Sequence, residues 1–434
     1  EMQKVYHPVA FKLIDSQPLT IDVTNRLLTT DLNKYDFKYQ IQENGKITSE
    51  GILPKISVSP CSSRRITLPD HVRYSLEKES FLKISIQLRE PEIWASEGFT
   101  IAWEQFRLND IKPCITLAMP KASNPAILYE SDTLYTIKGD LFEVKFNRKN
   151  GMLSSYSINN KELIKAPVRF NFRRALTDND RGSKFHIKSG SWLSADMFID
   201  CKGIQVIMDG EEQKPYAPDN NSFGGDIFAD EIIVKYTYET ISNPSTTVLV
   251  TYRVDASGKI RVDVHYNGAK GLPELPVFGM RFIMPTLADK YIYKGLSGET
   301  YPDRKAGAEK GIYEVTDLSL TPYLVPQECG MRMDTEWLEI SRHTSLDNSR
   351  TDHSPQTLRI EKMDREFAFS CLPYTASEIE NALHHEELPP ARRTVLCVYG
   401  AVRGVGGIDS WGTDVADEYH VSAEEDIRYS FTIC

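Results

Sequence analysis

Apolar and polar residues alternate with a period of two along most of this chain. Leu19, Ile21 and Val23 alternate with polar neighbours, as do Tyr35, Phe37, Tyr39 and Ile41. Asn44-Gly45, a hairpin dipeptide, follows, and Ile47 opens the return strand. Leu82, Ile84, Ile86 and Leu88 alternate again, and Ile101, Trp103 and the neighbouring Phe106 close the stretch. Short strands at this spacing predict an immunoglobulin-like β-sandwich over residues 1–112.

Residues 113–133 change character. Pro113, Pro120 and Pro125 fall close together beside Ser123 and Asn124, the composition of a linker between domains. From 134 to 434 the period of two returns on a larger scale. Phe142, Val144 and Phe146 lead through Asn150-Gly151 to Met152, Tyr156 and Ile158, and Ile232, Val234, Tyr236 and Tyr238 form another strand. Val248, Val250, Tyr252 and Val254 should pair with Ile260, Val262, Val264 and Tyr266 across Ala256-Ser257-Gly258. About 300 residues of antiparallel strand without recurring helices predict a large two-sheet sandwich, so the fold class is all-β. One short helix is expected where Thr375 and Glu378 make a capping box and Ile379 and Leu383 share a face. Residues 209–225, with Asp219-Asn220-Asn221 and Gly224-Gly225, read as an exposed loop.

Composition narrows the function. The chain has 434 residues, 41% hydrophobic and 26% charged, with a net charge of −10, which argues against nucleic acid as a partner. No apolar run reaches the roughly 20 residues of a membrane helix. The seven cysteines are scattered without a CxxC pair, which argues against a zinc site or a disulfide framework and fits free thiols.

Four stretches break the alternation. Arg173 to Gly182 opens on Arg173-Arg174, followed by Asp178, Asn179 and Asp180. This pattern suits an Asx-turn stapled by an arginine–carboxylate pair better than a metal site. Gly298 to Arg304 contains the turn Tyr301-Pro302-Asp303, with Arg304 placed to pair locally. Thr321 to Gly330 is kinked by Pro322 and Pro326. Arg403 to Gly412 has four glycines, an Asp409-Ser410 pair and Trp411. A tryptophan held on such a turn offers a flat apolar surface of the kind that matches the C–H face of a sugar. His384-His385 precede Glu386-Glu387, but adjacent side chains diverge, so they make a poor metal pair. No paired carboxylates for glycoside hydrolysis can be nominated, and the catalytic and metal-ligating sets are empty.

At these stretches the chain resembles the C-terminal third of large β-galactosidases of glycoside hydrolase family 2. The matching pieces are Phe172 to Asp180, Tyr301 to Arg304, Thr321-Pro322-Tyr323 with Pro326 to Gly330, and Gly404 to Gly412. Leu275-Pro276 through Pro285 and His385 through Pro389 also fit, and Trp103 to Phe106 fits near the end of the preceding domain. The resemblance implies a second immunoglobulin-like domain followed by a galactose-mutarotase-like β-supersandwich over 134–434. It also implies that the TIM barrel, with the catalytic glutamates and the ligands for magnesium and sodium, is absent here. The chain begins about where such a barrel would end, so a fragment cut at Glu1 is expected, inactive alone and needing the missing N-terminal portion as partner.

One residue carries over. In the family the tryptophan of the Gly-Gly-x-x-Ser-Trp stretch reaches into the barrel's active site as a platform for the galactoside, and the position here is Trp411. The family's mobile loop beside that site would begin at Gly182, although Ser183 to Ser191 do not match it. The leading expectation is a non-catalytic C-terminal portion of a β-galactosidase, homo-oligomeric as the parent. The alternatives are the small subunit of a two-chain β-galactosidase, a mutarotase-like enzyme and a carbohydrate-binding module. Compartment, cytoplasmic or periplasmic, is left open. The face that meets the barrel should be apolar and cause weak self-association.

Overall fold

The computed structural model describes residues 2–109, 111, 124–213, 227–346, 348–349, 352, 354–409 and 411–434. The chain forms two compact units, Glu1–Leu117 with Lys305–Ile312, and Ala118–Arg304 with Tyr313–Cys434. Both are built of antiparallel strands, as the alternation requires.

The smaller unit packs a sheet of Val9–Ser16, Leu19–Asn25 and Ser63–Thr67 against one of Lys46–Ile52, Tyr35–Glu43, Ser80–Leu88 and Thr100–Arg107. Ile21, Val23, Phe37, Ile41, Leu82, Ile84 and Ile86 fill the space between them. Asn44 and Gly45 both take positive φ, the requirement of the tightest hairpin turn. The last strand departs from expectation. Ala102, not Trp103, is its fully buried residue, and Trp103 lies on the other face beneath the Lys4 ammonium, 4.0 Å from the ring centre.

Among the described residues the larger unit has three sheets where two were expected. A six-stranded sheet contains Phe142–Asn147 and Leu153–Ile158 and also Ala126–Glu130, which lies inside the expected linker. Ala126 and Leu128 point into the core, so five residues with the right alternation make a strand directly after Pro125. Residues 112–123, including Pro113 and Pro120, lie outside the described set, as do 214–225 of the expected loop. The start of that loop is instead a hairpin: Asp209 and Gly210 turn Asp200–Met208 back into Glu211–Gln213. The register of Val248, Val250, Tyr252 and Val254 against Tyr266, Val264, Val262 and Ile260 is the expected one.

A ten-stranded sheet faces a five-stranded sheet ordered Ala166–Asn171, Val277–Met284, Thr394–Val402, Phe367–Leu372 and Met331–Thr335. Phe170, Met280, Leu396, Val398 and Phe369 enter the main core from the five-stranded sheet. Its other face presents Val395, Cys397, Tyr399 and Met331, covered by Tyr301 and Val405. Loops therefore cap this face, and they are the stretches that broke the alternation. The helix at Thr375 forms as Ala376–Asn381 with its capping box, but it stops before Leu383, which is exposed, so only Ile379 is buried. The six described cysteines are unpaired. Among the described residues no helix is long and apolar enough to cross a membrane.

Candidate functional site

Strand Thr394–Val402 runs directly into the glycine-rich stretch. Arg403, at its base, is 1% exposed, so its charge needs partners. They are Asp414, Glu274 at 3.3 Å and Asp180 at 3.6 Å, while the guanidinium lies 3.8 Å over the Phe185 ring. The next peptide groups are held by side chains from two distant segments. Arg174 donates to the carbonyls of Arg403 (2.7 Å) and Gly404 (2.8 Å), and Asn179 donates to that of Val405 (3.0 Å). Asp303 accepts from the N–H groups of Val405 (2.9 Å) and Gly406 (2.8 Å), and Arg304 donates to the Gly406 carbonyl. Arg304 thus reaches across to the glycine loop; only its backbone pairs locally, with Tyr301.

Arg174 is itself fixed by a buried bidentate pair with Asp180, at 2.8 and 3.1 Å. The segment expected to be an Asx-turn is a short helix, Asp178–Gly182. Thr177 caps it and Asp180 completes a capping box, so the same carboxylate serves the helix start and Arg174. The arginine–carboxylate staple is present; the turn type differs because Thr177 supplies the capping oxygen.

The stretch from Thr321 to Gly330 joins the same cluster. Tyr323 donates to Asp178 at 2.7 Å, and Gln327 accepts from the Asp178 N–H at 3.2 Å. Glu299 accepts from Gly330 N–H at 2.7 Å. Glu328 lies beside Arg174, Glu299 and Asp180; desolvation pushes its carboxyl up to about 8 against the pull of Arg174. The Tyr301 hydroxyl is buried beside Glu328.

The loop then leaves this cluster. Gly406, Gly407 and Gly412 have positive φ. A Cβ at Gly407 would sit 2.7 Å from the Arg304 guanidinium, and one at Gly412 2.6 Å from the Gly182 carbonyl oxygen. Asp409 accepts from the N–H groups of Trp411 (2.9 Å) and Thr413 (3.2 Å) and from the Thr413 hydroxyl. These bonds, that of the Thr413 hydroxyl first, hold its carboxyl below the usual value. Ser410 lies outside the described residues. At the end of this construction the Trp411 side chain packs into nothing: the residue is 91% exposed.

All four stretches therefore converge in one cluster of the larger unit, with Trp411 projecting from them. Sequence reasoning singled out the segments but not their mutual bonds: Asp303 and Arg174 each contact backbone more than 100 positions away. His384 and His385 diverge, to Glu387 at 3.1 Å and to the Tyr323 carbonyl at 2.8 Å. Among the described residues no group of three or more His, Cys, Asp or Glu side chains is arranged to hold a metal ion.

Residues 138–433 match the family described as the β-galactosidase small chain, and residues 21–109 match β-galactosidase domain 4. A β-galactosidase small subunit from Latilactobacillus sakei is 52% identical over 309 residues, which is 71% of this chain and 97% of that protein. A β-galactosidase from Priestia megaterium is 29% identical over the whole of this chain, which spans 39% of that protein's length. In backbone geometry a galactose mutarotase-like protein from Lactobacillus casei aligns with a TM-score of 0.35 at 12% identity, covering 69% of this chain and 99% of that one.

Proposed function

The chain belongs to the β-galactosidase small-chain family, and we propose that it is the non-catalytic component of a β-galactosidase, working with a separate catalytic portion to hydrolyse terminal β-D-galactose residues. The observation that carries this reading is the 52% identity to a protein named as a small subunit, over nearly the whole of that protein. A second reading, a C-terminal portion continuous with its catalytic part in a family 2 glycoside hydrolase, is favoured by the match of the whole chain to 39% of a longer β-galactosidase.

In both readings Trp411 is the substrate-contacting residue. Its ring is exposed, and its backbone is fixed through Asp409 and through the cluster at Arg174, Asp303 and Arg304. A pyranose C–H face can lie on such a ring. The platform orients galactose, but protonating the leaving oxygen and attacking the anomeric carbon take paired carboxylates, which this reading places in the partner. In this reading magnesium and sodium would be held by the catalytic portion.

The test is hydrolysis of a chromogenic β-galactoside by this chain alone and after mixing with a catalytic portion. An inert chain and an active mixture support the proposal; turnover by the pure chain sinks it.

A further inference from the structure

Trp411 hangs between two limbs of chain. The outgoing limb, Arg403 to Gly407, is held by Arg174, Asn179, Asp303 and Arg304. The return limb runs through Thr413, Asp414 and Val415 to the turn Asp417–Tyr419 and then His420. It closes on the outgoing limb. Gly404 N–H donates to the Tyr419 carbonyl at 3.0 Å, and the buried Val415 lies against Gly406, where a Cβ would sit 3.2 Å from its Cγ1.

His420 joins this return limb to the segment at Glu274. Its Nδ1 is 2.7 Å from the Glu274 carboxylate and its Nε2 is 3.0 Å from the Val415 carbonyl. Leu275 N–H donates to the Val421 carbonyl at 3.0 Å, so the adjoining backbone sets the two side chains opposite each other. An ionised carboxylate and a carbonyl only accept. A neutral imidazole has one N–H and serves one of them; an imidazolium has two and serves both. The other Glu274 oxygen takes the Arg403 Nε–H at 3.3 Å, Arg403 donates to Asp414, and Asp414 accepts the Val415 N–H at 3.0 Å. Val415, His420, Glu274, Arg403 and Asp414 thus close a ring of contacts that holds both the N–H and the carbonyl of Val415. Histidine ordinarily gains or loses its second N–H between about pH 5 and 8, so one link of the ring is titratable. The other charged groups around it are Lys188, paired with Asp414, and Asp180, 3.6 Å from Arg403, with Asp417 and Glu418 on the turn before His420.

We propose that His420 and Glu274 are positioning residues for Trp411: the imidazolium of His420 clamps the return limb of the loop, and loss of one N–H releases it, so that the hold on galactose in the assembled enzyme weakens as the histidine deprotonates. The inference rests on the role given to Trp411 above and adds a proton that controls it.

The test compares the parent chain with His420→Gln and Glu274→Gln at pH 6 and pH 8.5. A glutamine at 420 cannot donate from both sides of a ring, and a glutamine at 274 turns its own N–H toward His420 or Arg403. In the full chain, His420→Gln should reduce the protection of residues 404–415 against amide hydrogen exchange at least fivefold at pH 6. At pH 8.5 it should lie within twofold of the parent, which has by then lost the second N–H itself. Glu274→Gln, which keeps the histidine, should shrink the parent's own change between the two pH values to under twofold. Nitrogen-15 NMR of the histidine-labelled parent should show both His420 nitrogens protonated at pH 6, assigned by their loss in His420→Gln. After mixing with the catalytic portion of a β-galactosidase, His420→Gln should raise KM for a chromogenic galactoside at least fivefold at pH 6, with kcat within threefold, and approach the parent at pH 8.5. A gap from the parent that is equal at both pH values makes His420 a packing residue and overturns the proposal. So does a bare ring nitrogen at pH 6, or parental protection in both variants. Those outcomes leave the functional reading standing as long as Trp411→Ala loses turnover. If Trp411→Ala turns over as the parent does, the reading of the loop as a galactose platform falls, and the clamp's bearing on galactose falls with it.

Discussion

The Asp303 carboxylate accepts the Gly406 backbone N–H at 2.8 Å, tying the turn at Tyr301–Arg304 to the loop that displays Trp411. It also accepts from Val405, so one side chain satisfies two consecutive loop donors. Asp303→Ala leaves both without that acceptor. Such losses cost about 1–3 kcal/mol, so urea unfolding should show a destabilisation of that order. Iodide quenching of tryptophan fluorescence should change as Trp411 loses its fixed setting. An unchanged midpoint would mean that Arg174 and Arg304 hold the loop without Asp303.

Arg174 is more deeply committed. It has no exposed side-chain surface, pairs with Asp180 and donates to two loop carbonyls. Truncating one partner of a buried pair costs about 3–5 kcal/mol, so Arg174→Ala should unfold at markedly lower denaturant concentration. Arg174→Lys should recover little of it, since an ammonium cannot reproduce the fork. Full recovery by lysine, measured by urea titration, would show that charge alone matters there.

Gly412 combines φ +87° with a contact to the Gly182 backbone. Gly412→Ala meets both strain and a clash, and should destabilise the chain by about 1–2 kcal/mol. It should also reduce turnover in a reconstituted β-galactosidase, because Trp411 is the adjacent residue. Parental stability and turnover together would show that the loop readjusts freely.

Trp411→Ala separates display from packing. A side chain this exposed should leave thermal stability within about 0.5 kcal/mol of the parent, while hydrolysis by the assembled enzyme falls at least tenfold. A large loss of stability would identify Trp411 as a packing residue and remove it from the substrate site.

Glu328 should make stability depend on pH. Its folded carboxyl titrates near 8, above its ordinary value, so between about pH 4.5 and 8 the native state binds more protons than the unfolded state. By linkage this contribution is fully present below the ordinary value and is lost as pH rises through 8, with a slope of at most about 1.4 kcal/mol per pH unit. Glu328→Gln should flatten that part of the profile and narrow the difference between urea midpoints at pH 5 and pH 8. A variant with the parental slope would show that the carboxyl titrates normally.

The alternation of Val248 to Val254 against Ile260 to Tyr266 gave the correct register because both strands bury one side and a Gly258 turn joins them. The same rule failed at Ala126–Glu130, where nearby prolines disguised a short strand, and at Ile101–Trp103, where the small Ala102 takes the inward place. The helix at Thr375 was legible from its cap but not in its length, because the cap fixes a start and Leu383 has no core to meet.

The sequence by itself determined that the chain is all-β, where its main hairpins turn, and which four stretches depart from strand chemistry. Those properties are local: side-chain period, turn dihedrals and caps act within a few residues. Only the tertiary structure decided that the four stretches converge, that Arg174 and Asp303 hold the glycine loop, and that Trp411, Met197 and Phe198 are left uncovered. Those outcomes depend on groups more than 100 residues apart meeting in space, and on which apolar residues remain after the core is full. Neither is encoded in any window of the chain.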